Sequence, residues 1–99
     1  MKKFNFVFDK TKKAKIFKKM NINSIKQKIE DSISESSVEA QDTTGTGDHF
    51  SVVVVSDVFD GMSLIDRHKL IYKSLEQYIT REIHALQIKA YTKKEAKDV

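Results

Sequence analysis

The sequence predicts an α+β domain in the order α-β-β-α-(α)-β, with a three-stranded mixed sheet and helices covering one of its faces. Three observations carry this. Residues His49–Ser56, HFSVVVVS, place four consecutive β-branched side chains on alternating sides of an extended backbone, as a central strand requires. From Ser63 onward the apolar residues Leu64, Ile65, Ile71, Tyr72, Leu75, Tyr78 and Ile79 recur at three- and four-residue steps, the period of one helical face. After Glu82 the period becomes two. His84, Leu86, Ile88 and Ala90 then alternate with Gln87, Lys89 and Tyr91, which predicts a strand over His84–Tyr91 with one buried face. Two strands joined by a loop, and a third returning after a helix, make a mixed sheet. Helices with a single apolar stripe pack on one side of it.

The first helix is expected over Asn21–Ser34, where Ile22, Ile25, Ile29 and Ile33 form a narrow stripe. Asn21, Asn23 and Ser24 are all suitable N-caps, and Ser24-x-x-Gln27 has the spacing of a capping box. Val38–Thr43 reads as a short strand. The loop Thr44-Gly45-Thr46-Gly47-Asp48 follows, with two glycines that tolerate positive φ. It lacks the frame of a phosphate-binding loop, and no helix follows it. Asp57–Met62 turns the chain after the Val-rich strand. Ser63 then caps the main helix, with Asp66 favouring its positive end. That helix is expected to reach about Tyr78 or Thr80, with a break near Asp66–Arg67 as an alternative. Thr92 caps a short final helix over Lys93–Lys97.

At 99 residues, 39% of them hydrophobic, there is material for one small core. Cysteine is absent, which excludes disulfides, thiolate metal sites and a cysteine nucleophile within the chain. The net charge of +4 is unevenly distributed. Residues 1–20 hold eight of the eighteen basic residues and one of the fourteen acidic ones, a local +7, so residues 21–99 carry −3. The basic character belongs to the first twenty residues, whereas a nucleic-acid-binding domain usually carries a basic face of its own. Three readings of residues 1–20 stand: a basic aromatic arm for RNA or an acidic membrane surface, a disordered extension, or sequence upstream of a true start at Met20. The expected organisation is therefore a basic disordered extension at 1–20 and a folded domain at 21–99. No apolar run has the length of a membrane span, and Phe4–Phe8 is too short for a secretory signal, so the expected location is cytoplasmic.

The three histidines are the residues with chemistry to offer. His68 sits on the helical face one turn before Ile71 and Tyr72, the place of a partly buried structural histidine. His49 opens the central strand beside Gly47, where it serves either as a ligand or as a hydrogen-bond partner of the loop. His84 stands at a helix-to-strand junction, where it is either a tie between the two or a ligand. No motif gathers a nucleophile, a base and an orienting group, so no enzymatic reaction is indicated. A self-contained metal site needs three or four ligands, and the scattered histidines do not supply one. Two of them can supply part of a shared site.

The runs GDHFSVVVVSDVFDGMSLIDRHKLIY and IHALQIKAYTKKEA resemble the BolA family, closest to its bacterial YrbA-like branch. The match spans about Ile25–Ala96. The HF pair before a Val-rich strand, VSDVFDGMSLIDRH and HALxIKAYT occur together in that family. The resemblance implies a BolA-type fold similar to the type II KH topology, α-β-β-α-α-β, and a non-enzymatic role. It further implies partnership with a monothiol glutaredoxin and a shared [2Fe–2S] cluster, to which the glutaredoxin and glutathione bring thiolates. His84, in HAL, matches the family's C-terminal histidine ligand. Many members carry a second Cys or His in the loop before the second strand. Gln41–Gly47 has neither, which leaves His49 as the nearby residue for that role.

The resemblance carries two alternatives. One is a nucleic-acid-binding regulator of transcription or of the stress response, touching DNA or RNA phosphates through Arg67, Lys69 and Lys73. Against it, Asp66-Arg67-His68-Lys69 stands where a KH domain has its GxxG loop. The other is a metal-free adaptor that binds glutaredoxin alone. By itself the chain is expected as a monomer or a homodimer.

Overall fold

The computed structural model describes residues 21–79 and 82–99. The helices are α1 (Ile22–Ser32), α2 (Leu64–Ser74) and α3 (Lys93–Ala96), and the strands are β1 (Ser37–Asp42), β2 (His49–Val55) and β3 (Ala85–Tyr91). Short 3₁₀ turns at Asp57–Phe59 and Glu76–Tyr78 flank α2. The N-terminal extension at 1–20 lies outside the described residues, as does Thr80.

The sheet order is β1-β2-β3. β2 pairs antiparallel with β1, from Ser37 opposite Val55 to Asp42 opposite Phe50. It pairs parallel with β3, from His49 opposite Ala85 to Val55 opposite Tyr91. The sheet is mixed and three-stranded, as expected, with the Val-rich strand in the middle. Its four valines serve two environments. Phe50, Val52 and Val54 are buried under the helices, while Ser51, Val53 and Val55 on the other face are half-buried. A central strand is thus central in hydrogen bonding while only one of its faces reaches the core.

That core joins Ile25, Ile29 and Ile33 from α1 and its end, Phe59 from the 3₁₀ turn, Ile71 and Leu75 from α2 and its end, Ile83, and the inner faces of the strands. The α1 cap is Asn21, whose side chain accepts from the Ser24 amide at 2.8 Å. The expected Ser24–Gln27 box does not form, because Ser24 lies within the first turn of α1 and Asn21 takes the cap position; the Gln27 side-chain amide donates to Asp31 at 2.8 Å.

α2 differs from its expected form in two ways. It ends at Ser74 and continues only as a 3₁₀ turn, and no break occurs at Asp66–Arg67. The Ser74 hydroxyl donates back to the Ile71 carbonyl, and the Leu75 amide bonds Tyr72 in an i→i−3 step, which together tighten the backbone. Its buried stripe is Arg67, Ile71 and Leu75, whereas Leu64 and Ile65 are 65% and 68% exposed. Leu64 lies at the helix start, ahead of the stripe. Ile65 and Tyr72 lie together on a flank about 100° round from Ile71. No helix among the described residues is long and apolar enough to cross a membrane.

Candidate functional site

The site forms where the β1–β2 loop meets the start of β3. Asp42, at the end of β1, closes this loop. One of its carboxylate oxygens accepts from the Gly45 amide at 2.9 Å and the other from the Gly47 amide at 2.8 Å. Gly47 is buried with φ +78°, a conformation that favours glycine. Across the neck of the loop, the Thr43 amide donates to the His49 carbonyl at 2.9 Å.

Asp48 is the centre of the arrangement. Its main-chain carbonyl accepts from the amides of His84, at 2.7 Å, and Ala85, at 3.2 Å, which ties the loop to the first residues of β3. Its side chain faces two imidazoles. Oδ1 lies 2.7 Å from His49 Nδ1 and also accepts from the Thr46 hydroxyl. Oδ2 lies 3.4 Å from His84 Nδ1. The Thr46 hydroxyl and then the His49 ring hold the Asp48 carboxyl down at about 2. The two rings meet edge to face with centroids 6.3 Å apart. Their side chains remain 40% and 55% exposed, so both are open to an incoming molecule.

The two histidines suggested by the sequence are therefore brought together, although 35 positions separate them. Parallel pairing does this: His49 and Ala85 are partners in the register, and His84 precedes Ala85. His84 stands just before β3 rather than within it, and it is exposed. His68 is half-buried on α2 and takes no part in this cluster. Asp48 was not singled out by sequence reasoning. Its adjacency to His49 in Gly47-Asp48-His49 was visible, but its reach to His84 depends on the β2–β3 register.

Chemically, the cluster offers two imidazole donors and a carboxylate behind them. Among the described residues no group of three or more His, Asp or Glu side chains is arranged to hold a metal ion, and the chain contains no sulfur ligand of the thiolate kind. Among those residues the His49 ring hydrogen-bonds to Asp48, whereas the His84 ring has only the longer 3.4 Å contact with the other carboxylate oxygen.

The second set of expected contacts, Arg67, Lys69 and Lys73, divides. Arg67 is 7% exposed and turned inward, a correction to its expected place in a phosphate-contacting patch. Its guanidinium donates to the carbonyls of Met62 and Ala90 and to both carboxylate oxygens of Glu95, and it lies over the Phe59 ring. Those bonds leave it committed to the fold. Lys69 and Lys73 are exposed and line a shallow groove with Tyr72, Glu76 and Ile79.

Residues 19–95 match the family model for BolA-like proteins. Over 57 residues the chain is 42% identical to the acid stress protein IbaG of Escherichia coli K12, covering 57% of this chain and 68% of that one. Over 51 residues it is 43% identical to the DNA-binding transcriptional regulator BolA of the same strain, covering 52% of this chain and 49% of that one. Among solved structures, a BolA homologue from Coxiella burnetii is 39% identical and superposes with a TM-score of 0.68, over 79% of this chain and 97% of that one. The family match spans more than three quarters of the sequence, and the chain belongs to the BolA family.

Proposed function

We propose that this protein is a non-enzymatic, cytoplasmic partner of a monothiol glutaredoxin, with which it shares or passes on a [2Fe–2S] cluster. The observation that carries the reading is the convergence of His49 and His84 on Asp48, exposed and, among the described residues, without a third ligand. An incomplete ligand set suits a centre completed by another molecule. His84 and His49 would be the ligands from this chain, and glutaredoxin and glutathione would bring the thiolates that the sequence lacks. Imidazole is a good ligand for iron, and replacing thiolate by neutral imidazole lowers the negative charge of a cluster and raises its potential. When bound, the cluster would supply electron exchange or iron and sulfide for transfer. A histidine ligand can be protonated and displaced near neutral pH, which favours transfer over storage.

The test is anaerobic mixing with a cluster-loaded monothiol glutaredoxin, followed by visible circular dichroism, size-exclusion chromatography, and iron and sulfide analysis. A changed spectrum and a cluster-bearing heterodimer are expected, and the spectral change is expected to disappear with His84→Ala. A heterodimer that forms without a cluster in the wild type and survives His84→Ala identifies a metal-free adaptor instead. An unchanged spectrum with no heterodimer sinks both readings.

One observation favours a second reading, nucleic-acid binding: the likeness to the E. coli transcriptional regulator, over about half of each chain. Lys69 and Lys73 would be the phosphate contacts. The inward-turned Arg67 and the −3 charge of residues 21–99 weigh against it.

A further inference from the structure

Asp48 has a bland explanation, which is that its carboxylate closes the loop. The contacts around it argue otherwise. The loop is already closed by Asp42, which accepts from both Gly45 and Gly47. The junction with β3 is made by the main-chain carbonyl of Asp48, a contact that any side chain at this position would keep. What the carboxylate adds is one oxygen for each imidazole, 2.7 Å from His49 Nδ1 and 3.4 Å from His84 Nδ1. The Thr46 hydroxyl, donating to Oδ1, fixes the rotation of the carboxylate between the rings.

A carboxylate only accepts hydrogen bonds, so each neutral ring meets it best with a proton on Nδ1. The lone pair is then on Nε2, at the opposite edge of the ring. This is the arrangement in which a carboxylate behind a metal-bound histidine sets its tautomer, its orientation and its basicity.

We propose that Asp48 is a positioning residue for both histidines: by facing the two Nδ1 atoms it holds His49 and His84 as Nδ1–H tautomers, with both Nε2 atoms free for ligation. The role in ligation rests on the cluster-sharing function proposed above, whereas the tautomers can be measured without it. One residue thereby prepares two ligands, one at the start of β2 and one just ahead of β3. The 2.7 Å contact makes His49 the more firmly held ring, and His84 the one whose hold is mainly electrostatic.

The test uses the full chain, labelled with nitrogen-15, without partner or cluster. Long-range proton–nitrogen correlation at about pH 8.5, where ordinary imidazoles are neutral, reports which ring nitrogen carries the proton. The wild type is expected to show Nδ1–H in both rings. Asp48→Ala is expected to return both to Nε2–H. Asp48→Asn keeps the shape of the side chain but offers one oxygen and one NH₂ group, so it can accept from one ring only. One ring, His84 by the distances, is then expected to revert while the other stays. A purely structural role would leave the tautomers of the isosteric variant unchanged. Nε2–H in either ring of the wild type, or two unmoved rings in a folded Asp48→Asn, overturns the proposal. If Asp48→Ala does not fold, the wild type and Asp48→Asn still decide it. With cluster-loaded glutaredoxin, Asp48→Asn is expected to speed loss of the mixed cluster to a chelator by about tenfold or more. Nδ1–H tautomers in a wild type that forms no cluster sink the shared-cluster function and leave the positioning role standing.

Discussion

The Arg67 guanidinium ties together three parts of the chain. It donates to Met62 O ahead of α2, to Ala90 O in β3, and to both oxygens of Glu95 in α3. Glu95 in turn accepts from the Thr92 amide, so the cap of α3 and the anchor of Arg67 are one carboxylate. Truncating Arg67 to Ala removes these bonds, strands the Ala90 carbonyl and empties space above Phe59. A loss of about 2–4 kcal/mol is expected, read by urea denaturation. Arg67→Lys should recover only part of it, because an ammonium cannot reproduce the two-pronged contact with Glu95. Arg67 first, and then the Thr92 amide, hold the Glu95 carboxyl down from 4.5 to about 2. A depressed carboxyl pKa stabilises the fold above its unfolded value, and that contribution is lost as the pH falls through the folded one. Stability is therefore expected to decline with acidity across pH 4.5 to about 2, and Glu95→Gln should flatten the slope in that window. An equal slope in the variant would show that other carboxylates govern acid unfolding. Little of this was legible in the sequence, because an arginine within a polar DRHK run reads as a solvated helix position. Two of its three acceptor residues, Ala90 and Glu95, lie 23 and 28 residues away, and only the tertiary fold brings them within reach.

Elements were easier to read than their faces. The alternation in His84–Tyr91 and the valine run located β3 and β2 within a residue, because period two survives wherever one sheet face is buried. The helical spacing of α2 located the element but placed Leu64 and Ile65 in the core. Spacing fixes angles around an axis and leaves open how far the neighbouring sheet extends along it. Here the first turn of α2 presents Arg67, not an aliphatic residue, to the core, and Leu64 and Ile65 stay at the surface. This predicts a contrast between two isoleucines of the same helix. Ile71→Ala, at a fully buried position, should cost about 2–5 kcal/mol, while Ile65→Ala should change stability by no more than about 0.5 kcal/mol. Thermal and urea melts of the pair check this. A large cost at Ile65 would mean that its exposed flank is covered in solution, by residues outside those described or by a second molecule.

At the scale of the molecule, α+β class, strand order and the meeting of His49 with His84 followed from the periodicities together with the family resemblance. The imidazoles could not be placed by periodicity alone, since their approach depends on the parallel register of two strands far apart in sequence. Charge is the other property of the whole chain. Residues 1–20 carry +7 and residues 21–99 carry −3, so a polyanion is attracted chiefly to the first twenty residues. Among the described residues the core lies between Ile25 and Ala90, so a protein lacking residues 1–20 serves as the test, with circular dichroism to verify its fold. The full chain is expected to bind duplex DNA weakly and without sequence preference. That binding should fall by about a hundredfold or more between roughly 50 mM and 200 mM salt, as released counterions dictate for several lysine–phosphate contacts. The shortened protein should show almost none. If it instead retains salt-sensitive binding that Lys69→Glu with Lys73→Glu removes, the exposed flank of α2 is a nucleic-acid interface. The regulator reading would then gain on the shared cluster. If binding vanishes with residues 1–20 while the glutaredoxin mixture still gives a cluster spectrum, the two activities belong to separate parts of the chain, with Asp48 and its two histidines serving the second.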